Sequence, residues 1–263
     1  MADLGVILGD LAAESQTIDD VVAGLPAEEW ARPTPAQGWT VAHQIAHLAW
    51  TDGKALISAA HPEQWQAEVE SLLSVGENYV DLAAEEGAAR PKDELLEKWR
   101  TGRRELAEAL AAVPDGQKLP WYGPPMSAAS MATARMMETW AHGQDVVDAL
   151  GVTREPTARL WHIARFGTRT RDFAYKLNSL APPTAEFRVE LAAPDGTTWA
   201  FGPEDAEQRL TGSAVDFCLV ITRRRHHADT DLVATGADVE EWLGIAQAFA
   251  GPPGEGRKPG QFA

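Results

Sequence analysis

The stretch METWAHGQDVVDALG, residues 137 to 151, carries Glu138, His142, Asp145 and Asp148 at spacings of four, three and three. On an α-helix, residues three and four apart share a face, so the first three side chains stack along one stripe. A stripe of carboxylate and imidazole is either a solvated face or half of a metal site. A Glu and a His one turn apart usually form a surface pair contributing about 0.2–0.5 kcal/mol, and the His-Glu-x-x-His signature is absent. The neighbours favour partial burial: Met136, Met137, Thr139, Trp140, Ala141, Val146 and Val147 make the segment apolar on more than one side. A carboxylate withdrawn from water at Glu138 needs a cation, a proton or hydrogen-bond donors.

Further ligands would have to come from another helix, as in the metal sites of helical bundles. His43 and His47 stand one turn apart in VAHQIAHLAWTDGKALISAA, whose apolar face is drawn by Val41, Ile45, Leu48, Ala49, Leu56 and Ile57. Periodicity hardly separates the two histidines. The more apolar run His47-Leu48-Ala49-Trp50 gives His47 a slight edge, because a neutral ligand imidazole is less costly to bury than a charged one. Asp145, one turn beyond His142, is either the acceptor of that imidazole's other N–H or a surface residue.

The elements that would position these groups are helical through the first two-thirds of the chain. Leu4, Leu8, Leu11, Ile18, Val21 and Val22 recur at helical period until Pro26, and the loop ARPTPAQGW follows. Thr40 is an N-cap for the helix bearing His43 and His47. A further helical stretch runs from His61-Pro62 toward Ala88, and Pro91 to Val113 has proline in its first turn. WYGPPMS is a loop, Ser127 caps the helix of the opening stretch, and Gly151 ends it. One more helix is expected from about Thr157 to Leu180. Beyond Ala181 the pattern changes: EFRVELAAPDGTTWAFG alternates around Pro194-Asp195-Gly196 as a β-hairpin. A strand near Gln208 to Leu210, a helix from Ser213 to Thr222, a strand near Asp231 to Ala234 and a helix from Val239 to Phe249 complete the reading. The fold class is therefore α+β: a bundle over 1–181 and a smaller α+β domain over 182–263 that ends in a flexible tail, GPPGEGRKPGQFA.

Composition limits the partners. Of 263 residues, 44% are hydrophobic and 24% charged, which suits a soluble globular protein of two ordinary domains. With 39 acidic against 23 basic residues the net charge is −16, which disfavours nucleic acid and anionic membrane. The N-terminus lacks a signal-peptide pattern and no apolar run approaches a membrane span, so the expected location is cytoplasmic. The lone cysteine, Cys218 in AVDFCLVIT, excludes an intrachain disulfide and reads as a buried, inert thiol.

PAQGWTVAHQIAHLAWTD, with Gly38-Trp39-Thr40 leading into the His47 helix, together with METWAHGQDVVDALG, resembles the N-terminal domain of the mycothiol-dependent maleylpyruvate isomerase family. That family lies within the DinB-like metal-binding four-helix bundles. The resemblance implies a divalent metal, usually zinc, held by one histidine of the second helix and a later Glu-x-x-x-His pair. In this sequence these are His47, Glu138 and His142. GSAVDFCLVITRRR followed by LVATGADVEEWL resembles that family's sterol-carrier-like α+β domain. The family also places a functional arginine in its second domain, and Arg224 is the closest match, with Arg223 and Arg225 beside it. On the residues alone, RRRHH could equally be a solvated connector at a helix C-terminus.

Two histidines and a glutamate leave an open coordination position, which in zinc proteins marks catalytic sites, and an open zinc lowers the pKa of a bound water or thiol. The chain offers no convincing nucleophile of its own, and the resemblance implies that the sulfur arrives on a small thiol, mycothiol. The expected function is a metal-dependent isomerase or thiol transferase acting on a small molecule with an activated double bond. Arg224 would face an anionic substrate or a developing enolate. The alternatives are a thiol-independent metal enzyme (hydrolase, lyase or cyclase) and a non-catalytic metal-bound module that holds an apolar ligand.

Overall fold

Caps and apolar stripes set the bundle. In the computed structural model, which describes residues 3–76, 78–252 and 254–262, the first unit comprises α1 (Leu4–Ala23), α2 (Ala27–Trp30), α3 (Val41–Ala60), α4 (Trp65–Val75), α5 (Tyr79–Ala88), α6 (Lys92–Ala111) and α7 (Ala128–Leu150). The four long helices α1, α3, α6 and α7 pack on one another, and α5 lies along α3. α3 starts where its cap requires: the Thr40 hydroxyl and the His43 ring exchange hydrogen bonds with each other's backbone in a capping box. Ser127 caps α7 by accepting from Ser130 N, and Gly151 closes it in the left-handed conformation at φ 66°. The helical stretch expected toward Ala88 is two helices, α4 ending against Gly76 and α5 starting at Tyr79; Glu77 lies outside the described residues.

The bundle core is two apolar clusters with polar residues between them. One gathers Ile18, Val22, Ile45, Leu48, Leu95 and Trp99, the other Ile7, Leu11, Ala55, Leu106, Leu110 and Met131. Along α3, Thr51 and Asp52 separate Leu48 from Ala55, and both are buried. Arg135 of α7, 1% exposed, answers them: its Nε donates to Asp52 Oδ1 at 2.9 Å and its Nη2 to Thr51 Oγ1 at 2.6 Å. α7 approaches α1 closely beside His142, because a Cβ at Gly143 would overlap the Ile18 side chain.

The second unit comprises α8 (Leu160–Arg169), α9 (Arg171–Leu177), β1 (Phe187–Ala192), β2 (Thr198–Phe201), β3 (Gln208–Ser213), α10 (Ala214–Ile221), β4 (Val233–Thr235) and α11 (Ala237–Ile245). The sheet order is β2-β1-β3-β4; β1 runs antiparallel to β2 and parallel to β3, and β3 antiparallel to β4. Phe187, Val189 and Leu191 alternate inward along β1, and Trp242 of α11 packs against Phe187 and Phe217. The hairpin turn at Pro194–Gly196 is as the sequence predicts, Asp195 accepting from the Thr197 N–H at 2.9 Å.

The boundary between the compact units lies elsewhere than expected. The compact units divide at Arg154/Glu155 and not at 181/182. Residues 155–181 form two helices, α8 and α9, that pack on the second unit's own core: the Cys218 thiol faces Leu160 O, and Tyr175 OH donates to Asp238 O at 2.9 Å. A helical pattern alone did not reveal which core these helices serve. The tail makes contacts over its described residues, Pro253 and Ala263 lying outside them. Arg223 Nη2 donates to Gly254 O at 3.1 Å, Gly260 N to Asp229 Oδ1 at 2.7 Å, and the Arg225 guanidinium stacks 4.1 Å from the Phe262 ring centre. Among the described residues no helix is long and apolar enough to cross a membrane.

Candidate metal centre

α3 contributes His47 and α7 contributes Glu138 and His142, one turn apart. The ligand atoms of the three all lie within 4.8 Å of one another. Glu138 Oε2 stands 3.2 Å from His142 Nε2 and 3.6 Å from His47 Nε2, and the two imidazole centres are 4.4 Å apart. The side chains are 10% (His47), 18% (Glu138) and 12% (His142) exposed, so the stripe seen in the sequence is an interior one. Burial alone would raise the Glu138 pKa. The hydrogen bonds of both imidazoles, the charge of His142 and more distantly Arg135 outweigh it and hold the carboxyl well below the usual carboxylate range.

The structure separates the two histidines of α3, which periodicity could not. His43 Nδ1 faces the Thr40 hydroxyl at 2.8 Å and the Thr40 N–H at 3.3 Å, and its Nε2 faces Glu85 Oε2 of α5 at 2.8 Å. Both ring nitrogens are committed to capping and to tying α5 onto α3. His47 instead turns to Glu138, and its Nδ1 is buried with no hydrogen-bond partner among the described residues.

These residues fit a divalent cation on their donor chemistry. One carboxylate held ionised and two imidazoles converge within 4.8 Å of one another, a donor set of the kind that holds a divalent ion. Asp145, the sequence candidate for orienting His142, is 1% exposed and thus not a surface residue. The acceptor 2.6 Å from His142 Nδ1 is Gln44 Oε1 of α3. Sequence reading missed Gln44. The available clue was a polar side chain three residues before His47, on the flank of an apolar helix face. Trp39 was also missed as a site residue: its ring lies 5.3 Å from His47 and 5.9 Å from His142, stacked on the latter, and its Nε1 donates to Asp81 Oδ1 at 2.8 Å.

Arg224 belongs to the second unit. It follows α10, is 9% exposed, and donates through Nη1 to Thr222 O at 2.7 Å. The triple arginine is therefore not a solvated connector, although it does satisfy a carbonyl at the α10 C-terminus.

Comparison with known proteins places the bundle in a family. The family model for the mycothiol maleylpyruvate isomerase N-terminal domain matches residues 11–147, which contain all three converging side chains. The chain belongs to the mycothiol maleylpyruvate isomerase N-terminal domain family. Relatives at higher identity share its full length: uncharacterized proteins from two strains of Mycobacterium tuberculosis are each 56% identical over 257 residues, which is 98% of this chain and 100% of theirs. Two crystal structures of mycothiol-dependent maleylpyruvate isomerase, one of them a histidine-to-alanine mutant, share the fold. They superpose with TM-scores of 0.61 for the mutant and 0.59 at 17% identity, covering 88% of this chain and 92% of theirs. Within the second unit, residues 183–235 match a different family, described as wyosine base formation. That description differs from the sterol-carrier-like likeness expected there.

Proposed function

We propose that the protein is a divalent-metal enzyme, with zinc as the expected ion, that activates a small thiol such as mycothiol for addition to an activated double bond. The outcome would be isomerisation of the maleylpyruvate isomerase type or S-transfer. The observation that carries this reading is the convergence of His47, Glu138 and His142 inside a unit that belongs to the mycothiol maleylpyruvate isomerase N-terminal domain family. A bound divalent ion in a two-histidine, one-carboxylate site lowers the pKa of a thiol or water beside it, supplying a nucleophile at neutral pH.

The chain's own residues have the remaining tasks. Glu138 supplies the negative charge of the donor set, and its depressed pKa keeps it ionised at neutral pH. His47 and His142 would supply the nitrogen ligands. Trp39, tied to Asp81, covers both imidazoles with an apolar face and shields them from water. Cys218 is 0% exposed within the second unit's core, which supports a sulfur that comes from outside the chain. Arg224 is proposed as the partner of an anionic substrate, on the family resemblance and on its charge in a strongly acidic chain. A cytoplasmic location and a small-molecule substrate belong to the same proposal.

The test is metal analysis and calorimetry on purified protein. The wild type should hold about one zinc per chain and bind mycothiol with measurable heat; Glu138→Ala should lose both. A Glu138→Ala protein that keeps full stoichiometric zinc would overturn the ligand assignment. A zinc-loaded wild type that gives no heat with mycothiol would overturn the thiol and leave the metal.

A further inference from the structure

The bond between His142 and Gln44 is one link in a chain whose polarity is set at its far end. The Trp39 carbonyl oxygen can only accept, and it takes the Thr34 N–H at 2.8 Å and the Thr34 hydroxyl at 3.0 Å. With its proton so directed, Thr34 Oγ1 offers a lone pair, and Gln44 Nε2 donates to it at 2.9 Å. That decides which way the Gln44 amide points. Its Oε1 is turned to His142 Nδ1 at 2.6 Å, and only an N–H at Nδ1 satisfies a carbonyl oxygen. Gln44 is 0% exposed, so no solvent competes for either end of the amide.

We propose that Gln44 is a positioning residue for the metal centre. Through the series Trp39 carbonyl, Thr34 hydroxyl and Gln44 amide, it holds a proton on His142 Nδ1 and aims the other ring nitrogen, Nε2, at Glu138 before any ion arrives. Histidine ligands are commonly oriented by a carboxylate or a backbone carbonyl acting on the second nitrogen. An amide does the same work without adding a second negative charge next to Glu138. His47 has no equivalent partner, since its Nδ1 is buried and unpaired among the described residues, and its ring is confined by the rings of Trp39, Trp50 and His142. Among the hydrogen bonds described, the one that reaches the second nitrogen of a ligand ring is that of Gln44 to His142. The inference rests on the proposed ligand set for its consequence on affinity. The held proton stands apart from that set.

The experiment reads both quantities on the full chain: the protection of the His142 Nδ1 proton from exchange, by nitrogen-15 NMR of metal-free protein, and zinc affinity, by competition with a chromophoric chelator. The wild type should show a slowly exchanging Nδ1–H. Gln44→Met should lose that protection and weaken zinc binding roughly 10–100-fold. Gln44→Glu, which keeps an acceptor facing Nδ1, should restore both, a rescue that a merely space-filling role would not require. Should Gln44→Met fold poorly, Thr34→Val removes the hydroxyl link at a half-buried position and should lower the protection with Gln44 in place. Wild-type zinc affinity and proton protection in Gln44→Met, or a wild-type His142 whose Nδ1 carries no proton, would overturn the proposal. A wild type with a protected Nδ1–H that takes up no zinc would overturn the metal reading while supporting the hold of Gln44 on the ring.

Discussion

Buried polar groups in the bundle are handled in two opposite ways. On α1, Asp19 is 2% exposed and both of its oxygens face arginines of α6: Arg100 by a two-pronged contact at 2.6 and 2.8 Å, and Arg103 at 2.7 Å. Asp52 and Arg135 likewise match charge with charge across α3 and α7. A turn along α7 from Arg135 the partners differ: a carboxylate held ionised stands against two imidazole nitrogens, and the opposite nitrogen of the His142 ring is held by Gln44. The first kind of cluster pairs charge with charge within the chain and ties helices together, although Arg103 Nη1 is buried without a hydrogen-bond partner among the described residues. The second gathers a carboxylate and two imidazoles, a donor set that suits a cation. Burial and charge are common to both, so the distinguishing feature is the kind of partner: guanidinium against carboxylate in one, imidazole against carboxylate in the other.

Substitutions can break this contrast. The largest effect on stability is expected from Asp52→Ala, which strands a buried guanidinium with Thr51 as its remaining partner among the bonds described; urea denaturation should show a loss of about 3–5 kcal/mol. Asp19→Asn should lose about 2 kcal/mol, less because Arg100 is one-third exposed and can return to water. The same residue predicts a pH dependence. Hydrogen bonding from Arg100, against an opposing effect of burial and with the charges of both arginines, lowers the Asp19 pKa. A carboxyl depressed in the folded state contributes stability that is present above its ordinary value of 3.8 and is lost as pH falls through the folded value. Wild type should therefore shed stability below about pH 4 faster than Asp19→Asn, and equal acid slopes would remove Asp19 from the account. The smallest effect is expected from Glu138→Gln: the metal-free protein should change by about 1 kcal/mol, because the partners there are imidazoles and not a buried guanidinium, while zinc binding is lost. A Glu138→Gln protein destabilised as much as Asp52→Ala would place Glu138 with the structural clusters and end the contrast.

Much of this was legible in the residues. The helix from Val41 to Ala60 begins at its Thr40 cap, and α7 runs from its Ser127 cap to Gly151, because capping depends on a few adjacent residues. The pair Glu138 and His142 followed from helical spacing alone. The breaks after Val75 and at Thr170 were less legible, since apolar periodicity continues past both, and so was the packing of 155–181 with the second unit. Helix amphipathicity says that a face is buried and is silent on which core buries it.

What the sequence determined by itself is therefore local: the caps, the turn at Pro194–Gly196, the alternation along β1, and the stripe that puts a carboxylate and an imidazole one turn apart. What the tertiary structure decided is everything that depends on a partner distant in the chain. His43 and His47 share a helix, a spacing and nearly a face, yet Glu85 of α5 takes one and Glu138 of α7 the other. Gln44 meets a histidine 98 residues away. The physical reason is range: capping and helical spacing act within a turn or two, whereas the fate of a buried nitrogen is set by whichever atom packing brings within about 3 Å of it.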